Sequence, residues 1–142
     1  MKTQKLPILV VLALVLAPLL SSCGGPSKID VALTTYKITP SSDTAKAGEV
    51  TFHVHNDATD LTHEFVVFKT DLPEDQLPLT AEGIVDEEAD GLTSMGEVED
   101  VTPGTSKDLV LNLEAGNYVL VCNTDSTQLH YSHGMHKSFT VK

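Results

Sequence analysis

Short segments in which apolar and polar residues alternate recur along the chain, and they constrain its fold more than any other feature. In residues 50–55, three apolar side chains alternate with Thr51, His53 and His55, which is the pattern of a half-buried strand. Further strand-like stretches cover residues 29–38, 63–69, 109–111, 118–123 and 137–142, with turn signals between them. Short strands and frequent turns predict an all-β domain, an antiparallel Greek-key sandwich.

Residues 71 to about 100 interrupt this regular pattern. Proline and glycine punctuate the stretch at Pro73, Pro78, Gly83 and Gly91, and it carries an acidic run from 86 to 90. We predict an acidic excursion on one side of the domain, formed by a loop or a short helix.

The first residues have the pattern of an export signal. Lys2 and Lys5 precede an apolar run over residues 6–20, which is too short and wrongly flanked for a dependable spanning helix. Residues 20–23, Leu-Ser-Ser-Cys, resemble the lipobox of bacterial lipoproteins. The resemblance implies cleavage before Cys23 and lipidation of its sulfur, so we expect a lipid anchor on the periplasmic or extracytoplasmic side of a membrane.

These signals divide the chain into three parts. We expect a lipoprotein signal peptide at 1–22, a lipidated cysteine with a short tether at 23–27, and one folded domain at 28–142. The chain has 20 Asp and Glu residues against 9 Lys and Arg residues. This acidity disfavours nucleic acid and anionic lipid as partners of the domain. It could steer the domain toward a basic protein surface, but for most of these carboxylates we favour a role in solubility.

The two cysteines point to a metal site. If lipid occupies Cys23, then Cys122 has no disulfide partner in an oxidising compartment, and metal ligation accounts for this leftover thiol. Cys122 ends a predicted strand, and His130 and Met135 follow it. With a second imidazole from elsewhere, these residues provide the donor set of a blue-copper centre, two His and one Cys with a weak axial Met.

Several segments together are similar to the cupredoxin family. They cover residues 48–52, 62–67, 103–122 and 130–135 with the final strand after them, so the likeness spans nearly all of the expected domain except the acidic excursion. The resemblance implies one mononuclear type 1 copper ion. Carried over to this chain, its ligands are His63, Cys122, His130 and Met135.

The chain departs from the family pattern in two places. Seven residues separate Cys122 from His130, a longer interval than usual, which leaves His133 as an alternative ligand. The spacing from His130 to Met135 is the one usual in the family, which favours His130 over His133 as the ligand. Glu64 stands beside His63, where a neutral hydrogen-bonding residue is commoner; strand alternation predicts that it is a surface residue on the opposite face.

The remaining histidines form two further groups. His130, His133 and His136 recur every third residue, and His53 and His55 share one strand face. Either group could bind a second ion, but we interpret them as exposed imidazoles with weak metal affinity.

The resemblance implies a one-electron carrier with redox partners such as a c-type cytochrome, a copper oxidase or a copper reductase. The alternative is a protein that binds and delivers copper. We expect no enzymatic activity, because the sequence shows neither a second metal cluster nor a nucleophile–base set.

Overall fold

Two β-sheets account for almost all regular structure in the computed structural model, which describes residues 25–124 and 128–142. Cys23 and the expected signal peptide lie outside these residues. In the described part, a single 3-10 turn, Tyr131–His133, accompanies nine strands. The strands are Ser27–Thr34 (β1), Lys37–Pro40 (β2), Thr44–Ala45 (β3), Gly48–Asn56 (β4), His63–Lys69 (β5), Thr93–Val101 (β6), Ser106–Leu113 (β7), Gly116–Val121 (β8) and His136–Val141 (β9).

The sheet topology confirms the predicted β-sandwich but not purely antiparallel sheets. One sheet has the order β2-β1-β4-β7 and the other the order β3-β9-β8-β5-β6. The β1–β4 and β3–β9 pairs are parallel, while the other pairs are antiparallel. Alternation in a sequence predicts which face of a strand is buried, but it does not encode the direction of the neighbouring strand.

The main core lies between the two sheets. Alternate residues of β1 and β4 are buried, as their sequence pattern predicts. The Phe52 ring packs against Phe65 and Phe139, with ring centroids 5.5 and 5.4 Å apart. These contacts join the two sheets and make a rigid support for the end of the sandwich at which β5 begins and β8 ends.

The acidic excursion covers the outer face of the five-stranded sheet. A second apolar cluster forms there, from Val66, Phe68, Leu77, Val85, Leu92, Val119, Val121 and Tyr131. Both faces of β5 are therefore covered, which explains why residues 65–68 are all buried. The described excursion contains no helix, so the short-helix alternative is wrong, and residues 93–101 form strand β6.

In the described part of the chain, no helix has the length and apolar character needed to cross a membrane.

Candidate metal centre

The register of two neighbouring strands brings the predicted ligands together. Val66 of β5 pairs with Val121 of β8 in antiparallel fashion, so the start of β5 lies beside the end of β8. His63 is the first residue of β5, and Cys122 directly follows β8. These two side chains therefore meet at one end of the sandwich, although 58 residues separate them in sequence.

The loop after β8 brings the remaining donors back to the same place. The backbone N–H of Cys122 donates to the Met135 carbonyl at 3.0 Å, and the Met135 N–H donates to the His130 carbonyl at 3.1 Å. Met135 has no exposed surface and packs in the same apolar cluster as Cys122. Main-chain hydrogen bonds thus hold the loop closed around the cluster.

Three ligand atoms converge in a compact triangle. The Nδ1 atoms of His63 and His130 are 3.1 Å apart, and they lie 3.7 and 3.3 Å from the Cys122 Sγ. A point equidistant from the three atoms lies about 2 Å from each, close to metal–nitrogen and metal–sulfur lengths of about 2.0 and 2.3 Å in protein zinc sites. The triangle therefore has the dimensions of a site that holds one metal ion.

The protonation states of these groups suit metal binding. Burial, together with the charge of His130, lowers the pKa of His63 to about 4, and burial also lowers the pKa of His130. Both imidazoles are therefore neutral at pH 7, the form that ligates metals. Burial raises the pKa of the Cys122 thiol to about 12, so metal binding must displace a proton.

The chemistry of the donor set selects the ion. Two imidazoles and one thiol, with the Met135 thioether in the adjoining loop, are ligands soft enough for Cu(I) and acceptable to Cu(II). The backbone N–H of Glu64 also donates to the Cys122 Sγ at 3.4 Å, which favours a thiolate. The cluster fits a single type 1 copper ion.

His133 does not join this cluster. Its side chain is exposed, and its Nδ1 lies 3.2 Å from the Leu129 carbonyl oxygen. The structure therefore brings His63, Cys122 and His130 together and leaves His133 outside.

Comparison with solved structures identifies the architecture. Reduced auracyanin from Roseiflexus castenholzii has a TM-score of 0.59 and 22% identity, covering 84% of this chain and 99% of that chain. Rusticyanin from Thiobacillus ferrooxidans has a TM-score of 0.60 and 16% identity, with 84% and 79% covered. Auracyanin A from Chloroflexus aurantiacus, described as a "blue" copper protein, has a TM-score of 0.55 and 15% identity, with 83% and 100% covered.

The chain has the cupredoxin fold. No protein-family model and no curated protein sequence matches it. The likeness is therefore one of structure, and the roles of individual residues rest on the geometry of this cupredoxin domain.

Two polar side chains of the ligand loop hold the acidic excursion against the cupredoxin domain. Asn123 accepts a hydrogen bond from the Val85 N–H at 2.7 Å and donates to the Val85 carbonyl at 3.2 Å. The Tyr131 hydroxyl accepts from the Leu77 N–H at 2.9 Å and donates to the Glu74 carbonyl at 3.0 Å. The sequence does not indicate these anchors, because an Asn or a Tyr beside a ligand carries no signal of its distant partner.

Two of the spare histidines contact polar side chains of β7. His53 Nδ1 is 2.5 Å from an Asp108 carboxylate oxygen, and His55 Nδ1 is 2.8 Å from the Ser106 hydroxyl. His136 is only partly exposed, which differs from the expected surface imidazole. Within residues 25–124 and 128–142, these histidines do not converge with other ligand groups on one point, and a second metal site at either histidine group stays untested.

Glu64 is half-buried, so its interpretation as an ordinary surface residue is wrong. Its carboxylate approaches those of Glu97 and Glu99. Burial raises the pKa of Glu64 to about 8, and the charge of Glu97 and a hydrogen bond that the protonated Glu64 carboxyl donates to Glu97 act in the same direction. At pH 7 the Glu64 carboxyl is therefore largely protonated and neutral. In this state it can form hydrogen bonds like the neutral residue that the family pattern predicts beside His63.

This protonation predicts a pH-dependent reduction potential. Glu97 and Glu99 from β6 and Glu87 from the excursion are the charged groups that act on Glu64. Copper(II) with a thiolate carries one positive charge and copper(I) with a thiolate carries none, so the pKa of Glu64 is lower in the oxidised protein. As pH rises toward about 8, Glu64 loses its proton. The resulting negative charge stabilises copper(II), so the reduction potential falls by tens of millivolts.

Voltammetry between pH 5 and 9 measures this effect. Glu64→Gln keeps a neutral amide at the position and flattens the curve, whereas the matched control Glu99→Gln retains most of the slope. A slope that persists in Glu64→Gln would assign the titration to another group.

Proposed function

We propose that this cupredoxin domain is a one-electron carrier with one type 1 copper ion held by His63, Cys122, His130 and Met135. The triangle of the two Nδ1 atoms and the Cys122 Sγ carries the proposal, because its dimensions match metal–ligand lengths. Copper supplies the chemistry, a reversible change between Cu(I) and Cu(II).

The protein's part is to keep the ligands nearly fixed while the electron arrives and leaves. All four side chains are buried, and they project from strand ends or from a loop closed by backbone hydrogen bonds. A close-packed interior resists displacement, so the change of charge causes little movement of the ligands. Burial also shields the ligand atoms from bulk water.

We further propose that the domain works outside the cytoplasmic membrane, anchored through a lipid on Cys23. The support comes from the sequence, since residues 20–23 resemble a lipobox. Cys122 is a free thiol in the metal cluster, so Cys23 is not needed as its disulfide partner and is available for the lipid. Its partner is then an extracytoplasmic redox protein such as a c-type cytochrome, a copper oxidase or a copper reductase. The intact mass of the membrane-extracted protein tests the anchor, and an unmodified Cys23 on the processed chain would refute it.

Copper loading followed by a visible spectrum and voltammetry tests the function. We expect one copper ion per chain, an intense absorption from the thiolate bond and a reversible one-electron wave. Transfer of Cu(I) to an acceptor protein, without the intense absorption, would instead support copper delivery.

Substitution of Met135 tests the role of the axial ligand. Met135→Leu should keep the type 1 spectrum and raise the potential by tens of millivolts, because the substitution removes a thioether donor whose electron density favours Cu(II), while the apolar side chain still excludes water. Met135→Gln supplies a harder oxygen and should lower the potential. Voltammetry of the three proteins gives both shifts. Loss of copper from both variants would make Met135 a capture ligand and favour the delivery function.

A further inference from the structure

Asn123 fixes one end of the ligand loop, the segment between β8 and β9, to the acidic excursion. This residue directly follows Cys122 and is only 7% exposed. Besides its two hydrogen bonds with the Val85 backbone, its amide Nδ2 donates to a Glu87 carboxylate oxygen at 3.0 Å. Asn123 satisfies the N–H and the carbonyl of one buried residue, so it cannot move away without leaving both groups unpaired.

Tyr131 fixes the other end of the ligand loop. It directly follows His130, and its hydroxyl bridges the Leu77 N–H and the Glu74 carbonyl. Its ring belongs to the second apolar cluster, together with Leu77 and with Val121, the last residue of β8. The excursion, the ligand loop and β8 are therefore packed as one unit.

A third contact lies between these two ends. Gly83 of the excursion has a φ of 90°, and a Cβ at this position would lie 2.9 Å from the Leu129 Cδ1. The Ser132 hydroxyl lies 3.5 Å from the Gly83 carbonyl oxygen. The backbone of the excursion thus lies directly against the ligand loop, close enough that only glycine fits without a shift of Leu129.

The length of the ligand loop explains why these contacts matter. Seven residues separate Cys122 from His130, more than the family pattern has. A longer segment has more conformations to lose, and a loop with few buried contacts opens locally at little cost in free energy. Each contact with the excursion removes this freedom from a residue next to a ligand.

We propose that residues 71–92 of the excursion form a brace that fixes the copper ligands, and that Asn123 and Tyr131 are its positioning residues. Neither side chain is a ligand. Each acts through the ligand that precedes it in the chain, Cys122 or His130. The inference rests on the proposed carrier function, and it adds the residues that keep copper bound and its ligands in place during electron transfer.

The partners of the two positioning residues suit this role. Groups that orient the ligands of a metal site typically change metal affinity by roughly 10- to 100-fold when they are removed. Here those groups are N–H and carbonyl groups of a packed backbone, whose positions do not depend on the charge at the metal. Without them, Cys122 and His130 would be free to move as that charge changes, and copper would be lost more easily.

A pair of Tyr→Phe substitutions tests the brace in the copper-loaded protein. Tyr131→Phe removes both hydrogen bonds to the brace and keeps the ring in its cluster. Tyr118→Phe is the matched control, because the buried Tyr118 also donates to a backbone carbonyl, that of Glu114 at 2.8 Å, toward the other end of β8. The measurements are the rate at which a chelator removes copper from the reduced protein and the copper hyperfine splitting in the EPR spectrum of the oxidised protein.

We expect Tyr131→Phe to lose copper roughly tenfold faster than the parent and to change the hyperfine splitting. Tyr118→Phe should match the parent in both measurements, although thermal unfolding of the metal-free proteins should show a loss of stability in both variants. Equal rates of copper loss in the two variants would assign the effect to general stability and overturn the proposal. Parent values in Tyr131→Phe would overturn it as well.

A second pair keeps the test decisive if Tyr131→Phe does not fold. Asn123→Ala removes the hydrogen bonds to Val85 and Glu87, whereas Asn117→Ala removes a hydrogen bond to the Asp71 carboxylate, at the start of the brace and the far end of β8. Only Asn123→Ala should speed the loss of copper, and equal rates would refute the brace. If the copper-loaded parent itself shows no intense absorption and no reversible wave, the carrier function fails, which is distinct from failure of the brace.

Discussion

Cys122→Ser is expected to abolish the intense visible absorption of the copper-loaded protein. The absorption arises from charge transfer across a covalent copper–thiolate bond, which a hydroxyl cannot form. Cys122 has no exposed surface, and its Sγ lies 3.3 and 3.7 Å from the Nδ1 atoms of His130 and His63. Serine nearly preserves the volume, so the fold should persist while the thiolate is lost.

Absorption spectra and copper-to-protein ratios after loading and dialysis measure the change. The chain has two cysteines, and Cys23→Ser in unanchored protein is therefore the matched control, which should keep the full colour. Circular dichroism of the metal-free variants verifies that both have the same fold. A Cys122→Ser protein with the parent spectrum would show that copper binds elsewhere.

The second large effect separates two histidines in the same loop. His130→Ala should remove one of the three ligand atoms of the triangle and change the type 1 spectrum to that of a different copper site. The reason is that a small cavity that admits water replaces the imidazole. His133→Ala should keep both copper and colour, because the His133 side chain is exposed and lies near the Leu129 carbonyl.

Spectra of the two variants, with added imidazole, complete this test. Free imidazole should enter the cavity of His130→Ala and restore absorption, while His133→Ala should not respond. The reverse pattern would make His133 the ligand and would require the loop to rearrange when copper binds.

The sequence by itself predicted the layered architecture and the types of donor. Alternation in β1 and β4 identified the buried faces, because side chains of a strand point to opposite sides with a fixed period of two. A thiol at a strand end, followed by His130 and Met135, indicated soft-metal chemistry, since the choice of metal depends on ligand type. Both inferences depend on local order along the chain.

The tertiary structure alone decided which groups meet. The choice between His130 and His133 depends on how the loop closes against Met135, which spacing favours but does not establish. The raised pKa of Glu64 depends on burial beside Glu97, and the fixed position of Tyr131 depends on backbone groups of the acidic excursion. Strand register and loop packing create these neighbours across long stretches of sequence, and no period along the chain encodes them.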